Sequence, residues 1–213
     1  MLTFNDDSNW LKNRIIGVKR VYFIPQEFNN AHGIAVDIGA NVGAFPIVNH
    51  DKFKKIICIE PSEYSYNECK KNIEFFNNVD VFKFAVGKKS NETIKLKNYK
   101  IFNSSGNAST YESDLWDEND FEFVETISFE DIINKFNLVE IDYLKVDCEG
   151  GEYDFLMNKN LLNINYLAIE IHIHINEKAK ELEEYLNQYF IPISKYGNGV
   201  NVNKKITYKN KLL

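Results

Sequence analysis

AVDIGANVGAF, from Ala35 to Phe45, is the stretch that decides the fold. It opens as an apolar strand, Ile34–Ile38, interrupted only by Asp37, and runs into Gly39-Ala40-Asn41-Val42-Gly43. A short apolar run ending in a glycine-bearing turn reads as a buried strand that hands over to a helix, here Val42–His50. The same unit recurs along the chain. Lys55–Glu60 (KIICIE) is a second buried strand, and Pro61-Ser62-Glu63 has the composition of a helix start. The helix expected over Glu63–Phe76 carries Tyr66, Cys69, Ile73 and Phe76 at helical spacing. Further strands are expected at Asp80–Val86, Thr93–Leu96, Asp142–Asp147 and Asn165–Ile173, with helices at Ser128–Phe136, from Glu152 to Met157 and beyond, and at Glu177–Tyr189. Strands alternating with helices build a parallel sheet covered on both faces.

The two ends depart from this rhythm. Residues 1–33 read as an appendage, with a short amphipathic helix around Trp10–Ile16 and a strand-like Val18–Ile24 stopped by Pro25. The chain closes with Phe190–Lys195, a Gly197-Asn198-Gly199 turn and Val200–Tyr208, the pattern of an antiparallel hairpin. The expected architecture is therefore α/β, a doubly wound, mostly parallel sheet with a C-terminal antiparallel hairpin, in one domain spanning 34–213.

Composition bounds the function classes. The 213 residues are 44% hydrophobic, enough for one sizeable core, and no apolar run reaches the ~18–20 residues of a membrane span. The N-terminus lacks the basic start and apolar block of a secretory signal, so a cytoplasmic protein is expected. Cys58, Cys69 and Cys148 are odd in number and scattered, which fits reduced core residues rather than disulfides or a zinc site. A net charge of −6 argues against a nucleic-acid partner. Nine acids and no Lys or Arg fall between 101 and 134. This makes residues 98–124 a polar, acidic insertion, read as a solvated loop or as a lid.

A doubly wound sheet binds its ligand at the carboxyl ends of its strands. The residues there are Asp37 with the 39–43 turn, Glu60-Pro61-Ser62, Ala85-Val86-Gly87, Lys145, Asp147, Glu149-Gly150-Gly151-Glu152, Glu170 and His172. The first turn has the spacing G-x-x-x-G, not the G-x-G-x-x-G of a dinucleotide site. Asp37 would also repel a pyrophosphate and attract a cation. S-adenosylmethionine, with its ammonium, sulfonium and ribose, fits that environment. Glu60 stands 21 residues after Gly39, close to the ~20-residue offset at which a second-strand acid reaches ribose hydroxyls.

VDIGANVG, IEPS, LKVDCEGGE and IEIH, in this order, resemble the FkbM-type S-adenosylmethionine-dependent methyltransferases over roughly Ile34 to His172. LKVDCEGGE is the most specific part; Ala85-Val86-Gly87 and Ser104-Ser105-Gly106 match weaker features. The resemblance implies a class I methyltransferase (Rossmann-like) fold and O-methylation, often of sugars or other polyhydroxylated products. It implies Asp37, Gly39, Asn41, Gly43 and Glu60 at the cofactor, joined by the adjoining Ala40, Pro61, Ser62, Ala85 and Val86. It implies Asp147 and its neighbours beside the transferred methyl. Members can be fused to glycosyltransferases, so the chain could be a domain of a larger glycan-processing protein. The N-terminal 33 residues and the acidic insertion match no motif and are expected to carry substrate choice.

Methylating a hydroxyl requires a base. The candidates are Asp147, His172, Glu149 and Glu170, with Lys145 placed to keep Asp147 or Glu149 ionised. His172 and Glu170 share a strand face and could form a base with its orienting acid; His174 is a poorer choice. Asp147, Glu170 and His172 would also suit a divalent metal, although no metal is favoured. Two other classes share part of the pattern: a nicotinamide-dependent oxidoreductase of a small polar substrate, and a non-catalytic cofactor-binding module.

Overall fold

The computed structural model describes residues 8–28, 31–99, 108–109, 116–172, 176–196 and 204–213. It opens with helix α1, Ser8–Val21, and a single 3-10 turn, Gln26–Phe28. Then follow β1 (Ile34–Ile38), α2 (Ala44–Asn49), β2 (Lys55–Ile59), α3 (Glu63–Asn72), β3 (Val79–Phe82) and β4 (Ala85–Val86). The middle of the chain forms β5 (Thr93–Tyr99), β6 (Ala108–Ser109), β7 (Trp116–Ile127) and α4 (Phe129–Lys135). The last third holds β8 (Ile141–Val146), α5 (Glu152–Leu156), β9 (Ile164–Ile171), α6 (Asn176–Tyr189), β10 (Phe190–Tyr196) and β11 (Lys204–Asn210).

Seven strands form the main sheet in the order β10-β11-β9-β8-β1-β2-β3. β3, β2, β1, β8 and β9 run parallel, while β11 and β10 return antiparallel at one edge. Alternation along the buried strands sends side chains into two cores. Val36, Ile38, Ile57, Ile59, Leu144, Val146, Leu167 and Ile169 pack against Phe129 and Ile132 of α4, Phe155 of α5 and Leu182 and Leu186 of α6. On the opposite face Ala35, Ile56, Cys58, Tyr143 and Ala168 meet Phe45 of α2, Cys69 of α3, and Tyr22 and Phe28 of the N-terminal segment. The strand order changes direction between β8 and β1, so the crevice at their carboxyl ends is where a ligand belongs.

Four expectations need correction. Val18–Ile24 is not a strand: α1 continues to Val21, because Leu11, Ile15 and Val18 recur at helical spacing and pack on Val42, Ala44 and Ile47. Asp80–Val86 is broken into β3 and β4, which belong to different sheets. The helix over Glu63–Phe76 stops at Asn72, where the Ile73 N–H bonds back to the Cys69 carbonyl. The acidic stretch is not wholly a loop. Residues 116–127 form β7, which pairs antiparallel with the lysine-bearing β5 and parallel with β4 in a second, four-stranded sheet. Along β7, Val124 and Thr126 turn inward while Phe121, Phe123 and Glu125 turn outward, the alternation of a half-buried strand. The Gly197-Asn198-Gly199 turn and the Ser104-Ser105-Gly106 stretch lie outside the described residues.

Candidate functional site

The turn after β1 is a rigid object. Gly39, Asn41 and Gly43 all adopt left-handed backbone, with φ of 72°, 54° and 87°. Its amide groups are used within the protein. The Gly39 and Ala40 N–H groups both donate to the Ile59 carbonyl, at 2.9 and 3.1 Å. The Asn41 N–H donates to Glu60 Oε2 at 2.7 Å, and the Ser62 N–H donates to Glu60 Oε1 at 3.0 Å. Glu60 thus ties the turn after β1 to the turn after β2. Burial raises its carboxyl to about 7, against the opposing pull of those two hydrogen bonds. A carboxylate offers about four acceptor sites, so Glu60 retains capacity for hydroxyl donors.

The glycines serve close packing. A Cβ on Gly39 would lie 1.8 Å from the Asp147 carbonyl oxygen, and the Asp147 N–H donates to the Ile38 carbonyl at 3.1 Å. The loop after β8 is therefore laid backbone-to-backbone on the turn after β1. A Cβ on Gly43 would meet Cys69 Sγ of α3 at 3.1 Å and Ile73, just past its end, at 3.3 Å.

Asp37 and Lys145 are register partners on β1 and β8, so their side chains emerge side by side on one face. Small neighbours, Cys58 and Ala168, flank them across the sheet. Lys145 Nζ forms an ion pair with Asp37 Oδ1 at 3.0 Å and donates to the carbonyls of Gly39 (2.7 Å) and Ile38 (3.2 Å). Asp37 is wholly buried, and apart from the Lys145 ion pair neither of its oxygens has a hydrogen-bond partner among the described residues. Burial raises its carboxyl and Lys145 opposes that rise. Burial lowers the Lys145 ammonium, but Asp37 and Asp147 outweigh it and hold the amine protonated. The sequence reading aimed Asp37 at a ligand cation and Lys145 at Asp147 or Glu149. The structure joins Asp37 and Lys145 to each other beneath the turn, and the Lys145 charge also reaches Asp147.

Asp147 follows β8 and is half-buried. The Tyr22 hydroxyl donates to its Oδ2 at 2.8 Å. Burial raises the Asp147 carboxyl, but Lys145, His172, Lys205 and the Tyr22 hydroxyl together bring it below the ordinary range. Asp147 is thus an ionised carboxylate at neutral pH.

His172, just past β9, is held between two acids: Nδ1 lies 2.8 Å from Glu152 Oε1 and Nε2 lies 3.1 Å from Glu149 Oε2. Burial lowers its pKa, yet Glu152 and Glu149 overcome this and push it up to about 11. At neutral pH that places protons on both ring nitrogens, an imidazolium between two acids. Glu152 and Glu149 are the two acids at ion-pair distance from its ring. Glu170 instead pairs with Lys205, its register partner on β11. Glu152 is fully buried and also accepts from the Cys148 and Gly150 N–H groups, so it shapes the loop that carries Asp147 and Glu149. That loop reverses through Glu149 and Gly150 at φ of 51° and 105°.

One ligand atom each from Asp147, Glu170 and His172 lie within 4.8 Å of one another, so they could hold a divalent ion. Their present partners are Tyr22, Lys205 and the two glutamates. Val86 lies beside Gly151 of the Asp147 loop, whereas Ala85 packs into a small cluster with Leu96 and Val124. Pro61 and Ser62 follow Glu60, and Ser62 caps α3. His174 lies outside the described residues. The sequence reading missed Tyr22 and Lys205 as site residues, and placed Glu152 at a strand end without giving it a role. Glu152 was inside the quoted LKVDCEGGE run, but neither Tyr22 nor Lys205 belongs to a motif.

Residues 37–197 match the family described as Methyltransferase FkbM domain. The chain belongs to this FkbM methyltransferase family. Membership bears out the resemblance carried by VDIGANVG and LKVDCEGGE, and with it S-adenosylmethionine as cofactor. No curated protein matches the sequence. Among solved structures, the chain is similar to the fibrillarin pre-rRNA processing protein of Methanococcus jannaschii, with TM-score 0.55 and 13% identity over 94% of this chain and 74% of that one. It is also similar to SMU.1697c of Streptococcus mutans, solved in complex with SAH, with TM-score 0.53 and 10% identity over 98% and 99% of the two chains. A human methyltransferase 10 domain containing protein gives TM-score 0.50 and 12% identity over 93% and 81%. At such identities the likeness shows the fold, which is the class I methyltransferase (Rossmann-like) fold.

Proposed function

We propose that this FkbM-family chain is an O-methyltransferase, acting on a hydroxyl of a sugar in a glycan or glycosylated product. The observation that carries the reading is Asp147: an ionised, half-buried carboxylate at the end of β8, fixed against the turn after β1. The residues fit S-adenosylmethionine. Glu60 has acceptor capacity for ribose hydroxyls, with Asn41, Pro61 and Ser62 around it, and the left-handed 39–43 turn forms the neighbouring wall. When bound, S-adenosylmethionine supplies a methyl group on a cationic sulfur that leaves as a neutral thioether. Asp147 accepts the acceptor's hydroxyl proton as the new carbon–oxygen bond forms. A positioned base of this kind contributes typically ~10²–10⁴-fold, and alignment supplies more. Lys145 and His172 act as fixed positive charges that keep Asp147 ionised.

Acceptor chemistry follows from the same side chains. Asp147, Glu149 and Glu170 bring carboxyl oxygens together, which match the hydroxyl donors of a sugar. A nicotinamide-dependent oxidoreductase is disfavoured, because the N–H groups of residues 39–41 are all used within the fold and cannot cradle a pyrophosphate.

The test has two parts. Calorimetry should show S-adenosylmethionine binding that Asp147→Asn largely preserves. Incubation with glycans and labelled cofactor should give a mass gain of one methylene per methyl transferred, lost in Asp147→Asn by on the order of 10²-fold or more. Undiminished transfer by Asp147→Asn would remove Asp147 from this role.

A further inference from the structure

The segment ahead of the family-matched 37–197 region places a side chain in the site. Tyr22 stands one residue past the end of α1, and its N–H still bonds to the Val18 carbonyl at 3.1 Å. The segment is fastened on both sides of it. Upstream, Leu11, Ile15 and Val18 pack on α2 through Val42, Ala44 and Ile47. Downstream, the Phe23 carbonyl accepts from the Tyr143 hydroxyl at 3.0 Å, and Phe28 is buried against Phe53, Tyr143 and Tyr166. The Tyr22 ring meets Phe45 edge-on and has Lys145 Nζ 5.7 Å from its centroid. Its hydroxyl is 2.8 Å from Asp147 Oδ2.

We propose that Tyr22 is a positioning residue for methyl transfer: it clamps Oδ2 of Asp147, so that the N-terminal segment sets the direction in which the other carboxylate oxygen faces the acceptor. The proposal rests on the reading of Asp147 as the proton acceptor. A carboxylate bound at one oxygen by a neutral phenol loses rotational freedom about its terminal torsion, which is otherwise broad. The remaining oxygen then points one way. The phenol remains a donor throughout the working range, since burial and the nearby Asp147, Glu170 and Asp37 charges raise its pKa well above the ordinary value. Tyr22 therefore orients the base and does not exchange the proton itself. It follows that the segment expected to carry substrate choice is also part of the reaction centre.

Tyr22→Phe keeps the ring that packs on Phe45 and removes only the donor. Infrared spectra of protein labelled with carbon-13 aspartate, with Asp147→Asn used to assign the band, should show a shifted Asp147 carboxylate stretch in Tyr22→Phe. An unshifted band overturns the proposal whatever the acceptor proves to be. On an acceptor found in the methylation screen, Tyr22→Phe should lower kcat roughly tenfold or more, out of the ~10²–10⁴-fold a positioned base supplies, with KM for S-adenosylmethionine within about twofold. An unchanged kcat overturns it as well. If the wild-type protein binds no S-adenosylmethionine, the proposed function fails instead, and the infrared result still decides whether Tyr22 holds Asp147.

Discussion

Glu60 shows how one carboxylate links structure to a measurable pH response. Its oxygens hold two turns together, and burial brings its pKa to about 7, against ~4.3 for a free glutamate. A raised carboxyl pKa means that the free protein prefers the protonated form below about 7, whereas hydroxyl donors of a ribose prefer the ionised form above it. Affinity for S-adenosylhomocysteine should therefore fall on the order of tenfold from pH 8 to pH 6. Calorimetry across that range would measure it, and Glu60→Gln should bind more weakly at pH 8 and lose most of the dependence. At this scale the sequence revealed which side chains gather but not which touch. Asp37, Glu60, Asp147 and His172 were visible because strand ends are visible. The Asp37–Lys145 pair depends on a one-residue register between β1 and β8, and nothing in the local pattern states that register.

Between elements, Gly39 lies tight against the Asp147 carbonyl. A methyl group there cannot be absorbed, because the atom it meets, at 1.8 Å, is backbone and because φ at Gly39 is 72°. Gly39→Ala should cost on the order of 3–5 kcal/mol or prevent folding, read from urea unfolding. If stability is unchanged, the turn and the loop are not in contact. The elements themselves were legible where burial made the pattern strong: IAVDI, KIICIE and DYLKV are apolar runs bounded by turn residues. β7 was obscured because its acids resemble a solvated loop, although the alternation of Phe121, Phe123 and Glu125 against Val124 and Thr126 was present. The pairing with β5 that turns this alternation into a strand is tertiary. α1 was shortened in the reading because Val18–Ile24 is rich in β-forming residues, and packing on α2 decided for helix as far as Val21.

Across the molecule, His172 makes stability depend on alkaline pH. Its folded pKa of about 11 lies above the free value of 6.5, so its contribution is complete below about 6.5 and is lost as pH rises through 11. The thermal midpoint should decline from pH 7 to pH 10, and His172→Asn should begin lower at pH 7 and decline less; parallel slopes would deny the imidazolium. No helix among the described residues is long and apolar enough to cross a membrane. The overall topology was legible from the strand–helix alternation, and the long connections were not. The Tyr22–Asp147 contact spans 125 residues. During synthesis at roughly 5–20 residues per second, the segment that carries Tyr22 emerges some 6–25 s before its partner. For that interval Val18 and Phe28 lack part of the surface that later covers them, and β1 lacks β8 at its side. The Tyr22 segment is locked in part by residues made much later, which gives a nascent chain a window of exposure to chaperones that a purified, refolded one does not share.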